Sequence, residues 1–340
     1  MPLSATVRVM SPEEITALAG GETPFLMWPE RATLFAERAM RLRQLAAGHA
    51  MADFLRFMAE LAQAQQVLLA DFASVPLPDG AALDRAARAG QSPMPAVDWP
   101  RDSAWRAAAR QLARQLKSHA PAPLQTALDR LSAADDDWLE RQADCLLTGV
   151  MEGLDLTVSS LVAAALQLYW THLLLSVRHA HASGGQPLGR IDDALVCPCC
   201  GSRPTASITR FAGQTTGQRY LHCSLCSLQW HRVRASCAHC GSSKSVAYQS
   251  LASPQVDADE DEQSARAAKA SVQAETCDEC GHYLKIMHGD RDPQVEAVAD
   301  DLATVTLDLL VSDASRQRHG VNLMLLFGAP GDPEPAPGPP

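Results

Sequence analysis

The chain has 340 residues, a net charge of −10, 46% apolar and 20% charged residues. This composition excludes wholesale disorder, and the length exceeds one ordinary domain, so two or three compact units are expected. The acidic balance argues against a general nucleic-acid binder, although the distribution of charge matters more than its sum.

The N-terminal stretch has no basic region followed by an apolar run and a small-residue cleavage site, so the expected location is the cytoplasm. Ser11, Pro12 and Glu14 have the order of an N-cap, a first-turn proline and a capping-box acid, and predict a short first helix. A second helix is expected from about Pro29 to Gly48. A third follows from Phe54, Leu55, Met58, Leu61, Ala62, Leu68, Leu69 and Phe72, which recur at three- and four-residue steps as one apolar stripe. The proline- and glycine-rich stretch from Val75 to Pro100 interrupts this pattern, with one short helix over Ala81 to Ala89.

Trp105, Ala109, Leu112 and Leu116 mark the next helix, and Leu124 to Leu131 another after Pro121 and Pro123. Ser132 and Asp135 are placed to cap a helix through Leu147. Cys145 falls on its apolar face with Trp138, Leu139 and Leu146 and is expected as a core thiol. A long apolar helix runs from about Leu154 to His181. Leu156 to Val177 lacks Asp, Glu, Lys and Arg and reaches the length of a membrane span. Thr157, Ser159, Ser160, Gln167, Thr171, His172 and Ser176 lie inside it and favour a buried bundle helix, so no span is expected. His172 reads as a satisfied core histidine and His49, after Gly48, as a loop residue.

The pattern changes at ASGGQPLG, Ala182 to Gly189. Strand candidates then alternate with cysteines: Ala206 to Phe211, Gln218 to His222, Gln229 to Arg234, Val246 to Leu251, Ser271 to Thr276 and Tyr283 to Met287. Val295 to Val311 returns to helical spacing through Val298, Leu302, Val305, Leu309 and Leu310, and GDPEPAPGPP reads as a frayed tail.

Eight of the ten cysteines form four C-x-x-C pairs: Cys197 with Cys200, Cys223 with Cys226, Cys237 with Cys240, and Cys277 with Cys280. Two residues between cysteines let one tight turn point both sulfurs at a single ion. Gly201, Gly241 and Gly281 follow the second cysteine of three pairs, where a positive φ is wanted. CPCCGS at 197–202 repeats as CAHCGS at 237–242, each followed by strand, loop, strand and another pair. The repeat aligns Cys199 with His239 and leaves Cys199 as a spare thiol of unassigned role.

The economical grouping is Cys197, Cys200, Cys223 and Cys226 as one four-cysteine site and Cys237, Cys240, Cys277 and Cys280 as the other. An interleaved grouping is the alternative. Softness of the donors selects zinc or iron, and spacing does not separate the two. Regular pairs without a secretory signal disfavour disulfides, and Gly201 to Pro204 do not open the helix that a thioredoxin-like dithiol needs. His222, His231, His239 and His282 flank the cysteines, but eight thiols already complete two sites.

Between Ala194 and Val256 there is no acidic residue, while Arg203, Arg210, Arg219, Arg232, Arg234 and Lys244 are present. Four thiolates around a dication leave about −2, so these arginines are expected to balance the first site rather than to face nucleic acid. DADEDE, Asp257 to Glu262, reads as a solvated excursion, lacking the ligand spacing of a calcium loop. No phosphate loop, nucleophile elbow or acid–base pair is apparent, and an enzyme is not expected.

Three segments together resemble the formate dehydrogenase accessory protein family, FdhE: FAERAMRLRQLAAGHAMADFLRFMAELAQAQQ at 35–66, the four cysteine pairs with CPCCGS and RYLHCSLC, and VEAVADDLATVTLDLLVSDA at 295–314. The resemblance implies a multidomain α + β chain: an all-α helical domain over 1–185, rubredoxin-like or zinc-ribbon domains over 190–236 and 237–292, a C-terminal helical segment over 293–328 and a tail over 329–340. It implies two mononuclear ions in the four-cysteine sites, with iron favoured over zinc. The implied role is a chaperone-like factor for maturation of respiratory formate dehydrogenase, contacting its catalytic subunit in the cytoplasm before export, with self-association left open. The rival readings are a rubredoxin-like electron carrier and a zinc-ribbon nucleic-acid binder using Arg203, Arg210, Arg219, Arg232 and Arg234.

Overall fold

The computed structural model describes residues 23–181, 187–212, 215–234, 236–251 and 268–326. The helix expected at Ser11, the DADEDE run and the terminal tail lie outside these residues, as does most of ASGGQPLG.

Among the described residues, seven helices precede the cysteine pairs: α1 (Leu34–Leu45), α2 (Ala52–Ala70), α3 (Gly80–Arg88), α4 (Ala104–Leu116), α5 (Ala122–Ala133), α6 (Asp136–Thr148) and α7 (Ser159–Ala180). The apolar stripe expected on α2 is the buried one, with Leu55, Met58, Leu61, Ala62, Leu68 and Leu69 all turned inward. Asp135 caps α6, accepting from the Trp138 N–H at 2.7 Å. Ser132 does not share that role: it belongs to α5, and its hydroxyl bonds the Leu128 carbonyl one turn back at 2.8 Å.

The long apolar helix α7 meets the length and hydropathy of a membrane span, but 89% of its apolar window is buried inside the fold. It packs against α2, α4 and α6. Its start is later than expected because Asp155 accepts from the Thr157 N–H at 3.0 Å and holds a turn there.

The strands are β1 (Leu26–Met27), β2 (Pro204–Ala212), β3 (Thr215–Cys223), β4 (Gln229–His231), β5 (Val246–Gln249), β6 (Val272–Cys277), β7 (His282–His288) and β8 (Gln317–Arg318). They form one sheet in the order β1-β4-β3-β2-β7-β6-β5, with β8 beside β7. The two cysteine repeats, β2-β3-β4 and β5-β6-β7, are therefore halves of one sheet. They join at a parallel seam, Ser207 opposite Ile286 and Thr209 opposite His288. Gly289 and Gly320 are required at this seam. A Cβ there would stand 2.4 Å from the Thr209 carbonyl oxygen and 2.5 Å from that of Thr205, respectively.

A buried ion pair crosses the seam: Arg219 on β3 reaches Glu275 on β6 at 2.7 Å, with side chains 0% and 3% exposed. The guanidinium also donates to the Ser207 hydroxyl at 3.1 Å and to the carbonyls of Val233 and Ser236 at 3.1 and 2.8 Å. Its charge is committed to Glu275 rather than to the thiols, which corrects the expectation that Arg219 balances the first site. Arg203 is exposed at the surface. Arg232 has its guanidinium 3.4 Å from the place a Cβ would occupy on Gly241, in the second repeat.

The expected C-terminal helix is two helices, α8 (Ala297–Ala303) and α9 (Val305–Asp313). The Lys285 ammonium takes the carbonyls of Asp301 and Thr304 at 2.8 and 3.2 Å, which diverts both from a continuous helical ladder. The rotation that follows leaves Leu309 and Leu310 exposed and buries Leu307 and Val311 instead. Buried ion pairs then lock this region to the bundle. Arg41 on α1 holds Asp300 at 2.6 Å and Asp292 at 2.7 Å, and Arg38 holds Glu296 at 3.1 Å.

Candidate metal centres

The first candidate centre lies in the main core, not in a module beside it. Cys197, Cys199, Cys200, Cys223 and Cys226 are all at most 1% exposed and pack in the same apolar cluster as the helical bundle. Cys197 and Cys200 occupy the turn before β2, and Cys223 and Cys226 the turn after β3. Each turn closes on itself: Gly201 N–H donates to the Cys197 carbonyl at 2.8 Å, Cys197 N–H to the Ser202 carbonyl at 3.0 Å, and Cys223 N–H to the Leu228 carbonyl at 2.9 Å. The residue after the second cysteine has φ of +71° at Gly201, +74° at Gly241 and +71° at Gly281. The fourth such position is Ser227, at +61°, a strained choice for a residue with a Cβ.

Within this frame the sulfurs of Cys197 and Cys226 are 3.6 Å apart, those of Cys200 and Cys223 3.5 Å, and those of Cys200 and Cys226 3.8 Å. A tetrahedron with metal–sulfur bonds of about 2.3 Å has edges of about 3.8 Å, so the cluster has the size of a four-sulfur shell. Backbone N–H groups of Leu225 and Cys226 already point at the Cys223 sulfur at 3.4 Å. All ten cysteines are free thiols.

The donor set suits a soft cation. Burial pushes the thiols of Cys197 and Cys226 well above the ordinary range. Burial acts on Cys200 in the same sense, but hydrogen bonds from Cys197, Cys223 and Cys226 overcome it and hold that thiol well below. A dication bound there would convert all four sulfurs to thiolates.

Two elements of the bundle grip this centre, and neither was assigned to it from sequence. Ser92 to Ala96, in the proline-rich interruption, run along the first turn: the Ser92 hydroxyl donates to the Cys197 carbonyl at 3.0 Å, Met94 N–H to that of Cys199 at 3.1 Å and Ala96 N–H to that of Cys200 at 2.9 Å. From α7, Gln167 donates to the Ser224 carbonyl at 2.8 Å and Thr171 to that of Cys226 at 3.4 Å. The only signal in the sequence was a pair of polar residues four apart on one face of an otherwise apolar helix.

The second candidate centre is built alike but sits open. Cys237 and Cys280 sulfurs are 3.7 Å apart and those of Cys240 and Cys277 3.8 Å. Cys237 and Cys277 are buried, Cys280 is half-buried and Cys240 is exposed. The structure therefore brings Cys197, Cys200, Cys223 and Cys226 together, and separately Cys237, Cys240, Cys277 and Cys280. Cys199 belongs to neither group; it is buried, and its carbonyl accepts from the Met94 N–H.

The flanking histidines divide. His239 and His282 stand beside Cys280. His231 instead meets Gln218 at 3.2 Å, and His222 is buried in the sheet. Cys145 is not the core thiol expected. It is partly exposed on the wall of a cleft of about 380 Å³ that also takes in Arg203, Leu225 and Leu323, with its sulfur 3.5 Å from the Glu152 carbonyl. His172 is a satisfied histidine, 7% exposed and between Arg31 and Ser176.

Comparison with known proteins covers nearly all of this architecture. The FdhE N-terminal profile matches residues 23–184, the FdhE central domain 196–234 and the FdhE C-terminal domain 235–325. A Protein FdhE homolog of Klebsiella pneumoniae subsp. pneumoniae is 35% identical over 306 residues, 90% of this chain and 92% of the relative. Protein FdhE of Escherichia coli O9:H4 gives the same identity and coverage. Among solved structures, the crystal structure of the FdhE protein from Pseudomonas aeruginosa superposes with a TM-score of 0.77 at 35% identity, covering 90% of this chain and 100% of that one.

Proposed function

The chain belongs to the FdhE family of formate dehydrogenase accessory proteins, and on that premise we propose that it is a non-enzymatic maturation factor that binds the catalytic subunit of respiratory formate dehydrogenase in the cytoplasm before export. The unequal exposure of its two centres carries the reading. Cys197, Cys200, Cys223 and Cys226 are sealed between sheet and bundle, where an ion would fasten the two layers. Cys237, Cys240, Cys277 and Cys280 form a centre with an exposed edge, in the half of the sheet farthest from β1 in strand order. A rigid body thus presents one metal centre to a partner. The donor set accepts iron or zinc, and the family resemblance favours iron.

A strain lacking this gene tests the reading. Formate dehydrogenase activity is lost and returns with the wild-type chain, and the catalytic subunit co-purifies with it. Full activity in the deletion strain would sink the proposal. The exposed edge of the second centre also favours a second reading, single-electron exchange by iron, which requires a visible thiolate-to-iron absorption that bleaches reversibly on reduction. The nucleic-acid reading loses Arg219, which is buried in its pair with Glu275, while Arg203 and Arg234 stay exposed.

A further inference from the structure

Beside the second centre the fold assembles ligand groups that a four-sulfur site does not need. The ligand atoms of His239, Cys280 and His282 lie within 4.8 Å of one another. The two imidazoles stack at 3.6 Å with 7° between their planes. His319 adds a third ring, edge-on to His239 at 5.0 Å. It is 7% exposed, and its Nε2 has no hydrogen-bond partner among the described residues.

We propose that His239, His282 and the Cys280 sulfur form a third, half-exposed position for a divalent cation of the zinc or cobalt(II) class, bridged through Cys280 to the second four-sulfur centre. Three features carry it. First, the His282 Nδ1–H donates to the Cys280 carbonyl at 2.8 Å, which fixes the tautomer and leaves the Nε2 lone pair free, the arrangement metal-ligating histidines use. Second, a thiolate keeps lone pairs after binding one ion, so the Cys280 sulfur is able to serve two. Third, three protein ligands with a remaining open position match a site that exchanges its ion or accepts a fourth ligand from a partner, in contrast to the closed shells of structural sites.

The fit requires a modest adjustment. Metal–nitrogen bonds of about 2.0 Å and a metal–sulfur bond of about 2.3 Å put the ligand atoms roughly 3.5 Å apart. Separations already within 4.8 Å close to that distance when the stacked rings splay, which half-exposed side chains achieve by rotation. The partial exposure of the three residues also makes this position weaker than either centre of four thiolates.

The proposal rests on the two-centre reading through the shared sulfur, and the test separates the two. Full-length protein carrying two equivalents of zinc is titrated anaerobically with more zinc while the side-chain ¹⁵N resonances of its histidines are followed. A parallel cobalt(II) titration reads the thiolate absorption. The expected result is a third equivalent that moves His239 and His282 but not His49 or His172. In His282→Gln its affinity falls by about 10- to 100-fold, with the thiolate bands of the first two equivalents unchanged. Should His282→Gln perturb the sheet strand it sits on, His239→Asn, in the turn outside the strands, gives the same comparison. Thiolate bands saturating at two equivalents with no histidine resonance moving overturn the third position and leave the two centres intact. Histidine shifts without any thiolate band overturn both the four-sulfur reading and the shared Cys280 sulfur.

Discussion

If the Arg219–Glu275 pair fastens the two halves of the sheet, removing one partner must cost far more than removing both. Glu275→Leu leaves a guanidinium, 0% exposed, without a counter-charge. Stranding a charge in that way costs about 3–5 kcal/mol. Arg219→Met strands the carboxylate and also deprives the Val233 and Ser236 carbonyls and the Ser207 hydroxyl of a donor, so it costs at least as much. The double variant removes both charges and retains only the lost donors, for a cost of roughly 1–3 kcal/mol. Hydrogen exchange of the β2 and β7 amides is the assay, because it reads opening of the seam itself rather than of the whole chain. At about 1.4 kcal/mol per factor of ten, each single variant speeds exchange about 150- to 5,000-fold, and the double falls well below the product of the two. Single variants that exchange less than about fivefold faster, or whose effects simply multiply, would refute the claim that this bridge holds the seam.

Substituting the adjacent thiols separates ligand from neighbour: Cys200→Ser loses about one equivalent of metal and Cys199→Ser retains both, as measured by elemental analysis of anaerobically purified protein. Loss of metal from Cys199→Ser instead would show that the first turn is in the wrong register. Chelator challenge is expected to be biphasic, with the second centre emptied before the first because Cys240 is exposed while Cys197, Cys200, Cys223 and Cys226 are sealed; a single phase that removes both ions together argues against that asymmetry. Burial, aided by the nearby Arg31 charge, lowers His172 from 6.5 to about 4. The unfolded chain therefore binds this proton first as pH falls, and stability is lost between about pH 6.5 and 4, by roughly 1–2 kcal/mol once its position on a cleft wall is discounted. Urea unfolding of His172→Gln at pH 7 and pH 5 should show a shallower pH dependence than wild type, and equal slopes would remove His172 as the cause.

Helices and strands were legible because their periods are local. The stripe on α2 and the strand segments between cysteines follow from spacings of three, four and two residues, and these emerge with small shifts at their ends. Departures came where a distant group intervened. Lys285 breaks the C-terminal helix by taking two of its carbonyls, and no pattern within 295–311 signals that. Ser132 lost its expected cap to Asp135 because two candidates three residues apart compete for one helix start, and only the chain path chooses.

By itself the sequence determined that eight thiols come in four turns, since C-x-x-C, followed by glycine in three of the four pairs, is a local geometry that any context must respect. It also carried the family resemblance across nearly the whole chain. Tertiary structure alone decided that the two repeats share one sheet, that Gln167 and Thr171 of an apolar helix bond the first centre, and that one centre is sealed while the other is open. The reason is that exposure and partnership are properties of surfaces meeting. The sequence specifies each surface separately, and only packing brings Ser92–Ala96 onto one turn of the first centre and α7 onto the other while leaving Cys240 uncovered.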